Sequence, residues 1–224
     1  MATARAALES LLRTRKLDVT LTTARPWIAE PEDRIAPTGV PGIDAPLGGG
    51  LRRGHVSEIV GPRSSGRSSI LVRVFAAATG RGEVVALVDT SDRFDPAGAE
   101  AAGVDLSRLL WVRERGDAAR ALKALNLVLQ AGGFGVVAFD LADVPAMAIR
   151  QFPYTTWMRI ARVIEGGQTA VVLLGADRIS RSPGGVTVAL DTPADRRFAR
   201  WHGTTDRSRF LQMLEVTPRI VTAR

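Results

Sequence analysis

Four apolar runs decide the fold class. Glu83–Asp89, Gly135–Asp140 and Thr169–Leu174 are each dominated by consecutive Val, Ile, Leu, Ala or Phe, and His55–Val60 is a further apolar run, interrupted by Ser57 and Glu58. A strand exposed on one face alternates apolar with polar residues, so unbroken runs of this length indicate strands covered on both faces. Helical segments lie between them at Ser68–Thr79, Pro96–Ala102, Asp117–Ala131 and Thr155–Ile164, with a short strand at Leu109–Val112. Strands alternating with helices predict an α/β fold with a mostly parallel central sheet and helical layers. Gly185–Leu190 and Phe210–Val216 are expected as later strands, antiparallel at the sheet edge.

The 224 residues suffice for one substantial core, and 46% are hydrophobic, which excludes a chain too polar to collapse. There is no cysteine and there are only two histidines, His55 and His202. Disulfides, a thiol nucleophile and thiolate metal sites are excluded, and an imidazole-rich metal site is disfavoured. No apolar run approaches the roughly 20 residues that span a bilayer, and Met1–Leu17 lacks a signal-peptide core. The expectation is a soluble, cytoplasmic protein without membrane partners.

Upstream of the sheet, Ala4–Arg15 carries Ala4, Ala7, Leu8, Leu11 and Leu12 on one helical stripe, and Leu17–Thr23 alternates as a strand does. Residues 1–25 are read as an arm, 26–37 as a proline-rich linker, and 38–224 as the core. Leu8, Leu11 and Leu12 would dock the arm, either on another molecule or on its own core.

The chain carries 30 Lys+Arg against 23 Asp+Glu, a formal +7. All but Lys16 and Lys123 of the basic residues are arginine, a bias that a GC-rich genome also produces. Five of the seven net charges fall in residues 151–224, where Arg178, Arg181, Arg196, Arg197, Arg200, Arg207 and Arg209 cluster. Such a segment either tracks a nucleic-acid backbone or is a solvated surface. After Asp140, Tyr154 and Trp157 lie beside Arg150 and Arg159. They would stack on bases or fill core.

The chemistry-bearing segment is Gly61-Pro62-Arg63-Ser64-Ser65-Gly66-Arg67-Ser68, followed by Ser69. It has the spacing of a phosphate loop, G-x-x-x-x-G-K-[ST], between a strand and a helix. Glycines let backbone N–H groups turn toward a phosphate, and the helix N-terminus adds its own. Arg67 stands where the motif has lysine, and a flat guanidinium is not a compact ammonium. Ser68, with Asp140 at the end of its strand, would hold Mg²⁺ if a nucleotide such as ATP binds. Asp89 similarly closes its own strand.

These residues carry a resemblance. Thr38–Asp44 with Leu47–Gly54 resembles the opening of the RecA/RadA/KaiC ATPase core, and Ile59–Ser68 resembles the phosphate loop of bacterial RecA. The likeness continues through Asp89–Pro96, Gly103–Asp105 and Leu109–Leu110, and weakens from Gly135 to Leu174. It implies a RecA-like P-loop core. It also implies four altered parts. Besides Arg67, Ser91 matches the catalytic glutamate, Gly98 the adenine-stacking tyrosine, and Gly175–Ala176 the Asn-Gln pair that senses the γ-phosphate, leaving Asp177 as the nearest polar substitute. Together they imply that hydrolysis is not the function, the alternative being an active DNA-dependent ATPase or recombinase. The chain is expected to stop where a RecA core stops. Length, degeneracy and the leading helix resemble the ImuA family of bacterial mutagenesis cassettes. That resemblance implies an accessory role in the DNA damage (SOS) response and translesion synthesis. The implied partners are an ImuB-like polymerase-fold protein and an error-prone polymerase, with single-stranded DNA, RecA or a second copy as further candidates. In that reading the region Arg178–Arg209 occupies the position of the second DNA loop.

Overall fold

In the computed structural model, which describes residues 34–180, 184–190, 198–202, 210–215 and 218–222, the apolar runs become neighbours in one sheet. The elements are β1 (Ile35–Ala36), α1 (Pro41–Asp44), β2 (Leu51–Arg52), β3 (Val56–Val60), α2 (Arg67–Gly80), β4 (Val85–Asp89), α3 (Pro96–Ala101), β5 (Leu109–Arg113), α4 (Ala118–Ala131), β6 (Val136–Asp140), α5 (Ala146–Arg150), α6 (Tyr154–Ile164), β7 (Ala170–Gly175), β8 (Val186–Ala189), β9 (Phe198–His202), β10 (Phe210–Glu215) and β11 (Arg219–Thr222). The main sheet has seven strands in the order β11-β8-β3-β7-β6-β4-β5. All its pairings are parallel except β11 with β8.

The unbroken apolar runs follow from this topology. Val85 and Leu87 of β4 enter one core with Val74, Phe75 and Ala78 of α2. Ala86 and Val88, on the opposite face, pack with Leu125 of α4 and Ile160 of α6. Alternate side chains of one strand thus feed two cores. Helix α4 starts where Asp117 accepts hydrogen bonds from the N–H groups of Ala119 and Arg120, at 3.0 and 2.9 Å, an N-cap that satisfies two free donors.

The later strands depart from expectation. β8 is parallel to β3 and interior to the sheet, not an antiparallel edge. Its residues are largely buried, as befits a strand with neighbours on both sides. The antiparallel edge is β11, which sequence reading missed. Phe210–Glu215 does not join the main sheet; it pairs with β9 in a separate two-stranded sheet. Ile35 and Ala36, read as linker, pair with β2, and Ala36 is fully buried. The arm, with Leu8, Leu11 and Leu12, and residues 26–33 lie outside the described residues. Among the described residues no helix is long and apolar enough to cross a membrane.

At the N-terminal edge of the sheet Arg53 acts as a clasp. Its Nε donates to the carbonyl of Ile35 (3.2 Å). Nη1 donates to the carbonyls of Gly135 (3.2 Å) and Gln168 (2.9 Å), and Nη2 to Glu83 (2.8 Å). Burial pushes the Glu83 carboxyl up, but hydrogen bonds from Arg81 and Arg53 outweigh it and hold it below its ordinary value.

Candidate functional site

Strand register brings the sequence-predicted residues to the opposite edge of the sheet. Val60 lies beside Gly175 and Ala189, and Asp140 lies between Leu174 and Asp89. Asp89 is in turn beside Arg113. The segment Gly61–Ser69, Asp140, Asp89 and the residues after β7 therefore share one crest at the carboxyl ends of parallel strands, where open α/β sheets bind ligands.

The loop is built as a cradle. A Cβ at Gly61 would approach Ser65 Oγ to 2.7 Å and Leu190 Cβ to 3.0 Å. Ser64 (φ 59°) and Gly66 (φ 95°) are left-handed, and Gly66 is the N-cap of α2. Ser65 and Arg67 are buried, yet Ser65 Oγ and Arg67 Nη1 have no hydrogen-bond partner among the described residues. A buried guanidinium nitrogen without an acceptor is costly unless an anion supplies one. Ser68 and Ser69 are exposed on the first turn of α2. A phosphate group fits this cradle.

The acids differ in employment. Asp89 is buried, and its Oδ2 accepts from the N–H groups of Arg93 and Phe94 (2.8 Å each) and from Trp111 Nε1 (3.3 Å). Its Oδ1 has no partner among the described residues. Trp111 is itself held, edge-on to Phe94 at 5.4 Å and under the Arg113 guanidinium at 4.5 Å. Asp140 Oδ1 accepts from the N–H of Ala142 at 2.8 Å. Burial pushes the Asp140 carboxyl up to about 6. The Ala142 bond and the Arg67 charge oppose the rise, while Asp89 and Asp143 add to it. Arg67 therefore already acts electrostatically on the acid expected to assist Mg²⁺. Among the described residues no three His, Asp or Glu side chains converge on a metal position. A cation at this crest would depend on Ser68, Asp140 and the oxygens of a bound phosphate.

Because the folded-state pKa of Asp140 is raised, its contribution to stability is fully present below pH 4 and is lost as pH rises through about 6. Asp140→Asn is expected to remove that slope and to raise the unfolding free energy at pH 7 by roughly 2–3 kcal/mol. Urea titrations of both proteins at pH 4.5 and 7 check this; equal stability at pH 7 contradicts it.

Three cavities flank the crest. Ser68, Ser69, Arg73, Phe94, Gly98 and Asp140 help to line one of about 420 Å³. Gly98 offers no ring there. A second, of about 490 Å³, lies on the other side of the loop between Gly61, Pro62, Asp177, Arg178 and Arg219. Arg178 also reaches the third, a groove of about 260 Å³, with Arg150, Phe152, Tyr154 and Ser180. Two segments that sequence reading treated separately, after β6 and after β7, thus meet at one groove. Tyr154 is exposed, but Trp157 is 4% exposed and belongs to the core. Stacking on a base is open to Tyr154 and not to Trp157. Arg181, Arg196 and Arg197 lie outside the described residues, and Arg200 is on β9.

The family model of the RecA N-terminal domain matches residues 30–151, more than half of the chain. The chain belongs to the RecA N-terminal domain family. RecA proteins of Symbiobacterium thermophilum and Methylococcus capsulatus are 39% and 40% identical to it over 107 residues, 47% of this chain and 30% of each of those proteins. RecA of Thermus aquaticus is 37% identical over 107 residues, covering 47% of this chain and 31% of that protein. The match thus spans less than a third of the length of these relatives. The crystal structure of the RadB recombinase superposes with a TM-score of 0.51 at 16% identity, over 69% of this chain and 83% of that one, a likeness of fold.

Sequence reading missed Arg53, Glu58 and Trp111. Glu58 had a signal, an acid inside an apolar strand. Arg53 and Trp111 had none, because their roles arise from partners far along the chain.

Proposed function

We propose that this chain is a RecA-fold accessory protein of DNA repair. It binds a phosphate-bearing ligand in the Gly61–Ser69 loop without turning it over, and contacts single-stranded DNA through Arg150, Tyr154 and Arg178. The observation that carries the reading is the pairing of a cradle that keeps unpartnered buried donors, and has arginine at its lysine position, with altered surroundings. Ser65 Oγ and Arg67 Nη1 are buried without partners, while positions 91 and 98 hold Ser and Gly. A hydroxyl does not activate water as a carboxylate does. If a nucleotide is the ligand, Ser68 and Asp140 would hold its magnesium, which would neutralise phosphate charge. The helix N-terminus and the Arg67 guanidinium would hold the phosphate, and the neighbouring cavity would take the rest of the ligand. The finer assignment is the ImuA role in translesion synthesis, with an ImuB-like partner that Leu8, Leu11 and Leu12 of the arm would engage. Arg181, Arg196, Arg197 and Arg200 would extend the DNA or partner contact.

Titration with ATP tests the reading. The expected result is a rise in the unfolding temperature with no release of phosphate, with or without single-stranded DNA, since a ligand that binds only the folded state stabilises it. The second reading, an active DNA-dependent ATPase, draws on the identity with RecA proteins across the phosphate loop. DNA-stimulated turnover that disappears in Asp140→Asn decides for it.

A further inference from the structure

Glu58 is an acid in the middle of β3, the strand whose end carries the phosphate loop. It is 2% exposed, and its carboxylate is committed to other parts of the fold. Oε1 accepts from the N–H of Ile179 at 3.0 Å and from the N–H of Ser180. Oε2 accepts from Thr187 Oγ1 at 3.2 Å. One buried carboxylate thus ties the segment after β7 and strand β8 to β3. A buried charge is tolerated only with such hydrogen bonds, and those to a charged group are the strong ones. The position is unusual for a purely structural acid, because Val56 and Val60 flank it on the same face and an aliphatic residue there would pack well.

The segment it holds carries Arg178, which borders both the cavity beside Gly61 and Pro62 and the groove of Arg150 and Tyr154. Ile179 and Ser180 themselves line that groove. Ser180 Oγ is buried there without a partner among the described residues. The backbone of residues 179 and 180 therefore sets where Arg178 stands relative to Tyr154, and Glu58 sets that backbone. We propose that Glu58 is a positioning residue, which fixes Arg178 and thereby shapes the groove for a phosphate and base of single-stranded nucleic acid. This rests on the reading of the groove given above.

Glu58→Leu removes all three acceptor contacts, whereas Glu58→Gln keeps an amide oxygen for the two N–H groups. In Glu58→Leu, hydrogen exchange at the amides of Ile179 and Ser180 should accelerate at least about tenfold, the loss of strong hydrogen bonds to a charged acceptor. Affinity for a fluorescent oligo-dT should fall about as far as in Arg178→Ala, with no further loss on combining the two. Glu58→Gln should recover most of both. If Glu58→Leu does not fold, Glu58→Asp, one methylene too short, takes its place. Unchanged exchange at residues 179 and 180 overturns the anchor. Accelerated exchange with unchanged oligonucleotide affinity, or additive losses with Arg178→Ala, overturns the positioning role. Absence of oligo-dT binding by the parent protein overturns the nucleic-acid reading of the groove itself, and the exchange measurement still decides whether Glu58 anchors the segment.

Discussion

Arg53→Ala lowers the unfolding free energy by about 2–3 kcal/mol, the range for losing hydrogen bonds made by a charged group. The side chain of Arg53 is 11% exposed, and its guanidinium satisfies three carbonyls besides Glu83. Truncation removes one donor from each of those carbonyls and leaves the Glu83 carboxylate with Arg81 alone, at 2.9 Å. The loss has a pH signature. Glu83 is held below its ordinary value in the folded protein, so its stabilisation is present above the unfolded pKa and fades as pH falls through the folded one. Arg53→Ala should flatten that part of the acid limb. Urea unfolding should show a lower midpoint with an unchanged slope, since the surface exposed on unfolding is the same. Ligand binding at the far edge of the sheet should survive below the transition. A midpoint within error of the parent protein would contradict the clasp.

The second large effect is at Arg67. A phosphate ligand at 100 times its dissociation constant stabilises the parent protein by about 2.7 kcal/mol. Arg67→Ala removes the buried donor, a loss expected to weaken binding about 100-fold, within the range for truncating one member of a buried charge pair. At the same ligand concentration the stabilisation then shrinks to about 0.4 kcal/mol. Arg67→Lys keeps a positive charge and should retain more of the effect than alanine. Chemical denaturation of the three proteins with and without ATP or pyrophosphate reads this directly. Equal stabilisation in Arg67→Ala would show that the loop does not use this side chain for phosphate.

Much of the central architecture is legible in the sequence. Val85–Val88 and Ala170–Leu174 read as strands because a strand covered on both faces must be apolar at every position, and both are. The phosphate loop was legible because it is local: glycines, a helix start and hydroxyls within nine consecutive residues. The misjudged region was the last third. Sequence reading places Gly185–Leu190 at an antiparallel edge, whereas β8 is an interior strand parallel to β3. β11 was missed because four residues with one charge carry little pattern. Trp157 was ambiguous from sequence, since an aromatic at a helix start serves a core or a ligand equally well. Its burial resolves the matter.

By itself the sequence determined that consecutive strands would be parallel and buried, that a phosphate-type loop would follow β3, and that arginine would stand at its lysine position. These depend on neighbours in the chain, and short-range periodicity records them. Tertiary structure alone decided that Asp89 and Asp140 are lateral neighbours, that Arg150, Tyr154 and Arg178 share a groove, that Glu58 ties residues 179–180 and β8 to β3, and that Arg53 clasps the amino edge of the sheet. Each of these joins different segments of the chain. Strand order and register bring them together, and neither is written in any local stretch of the chain.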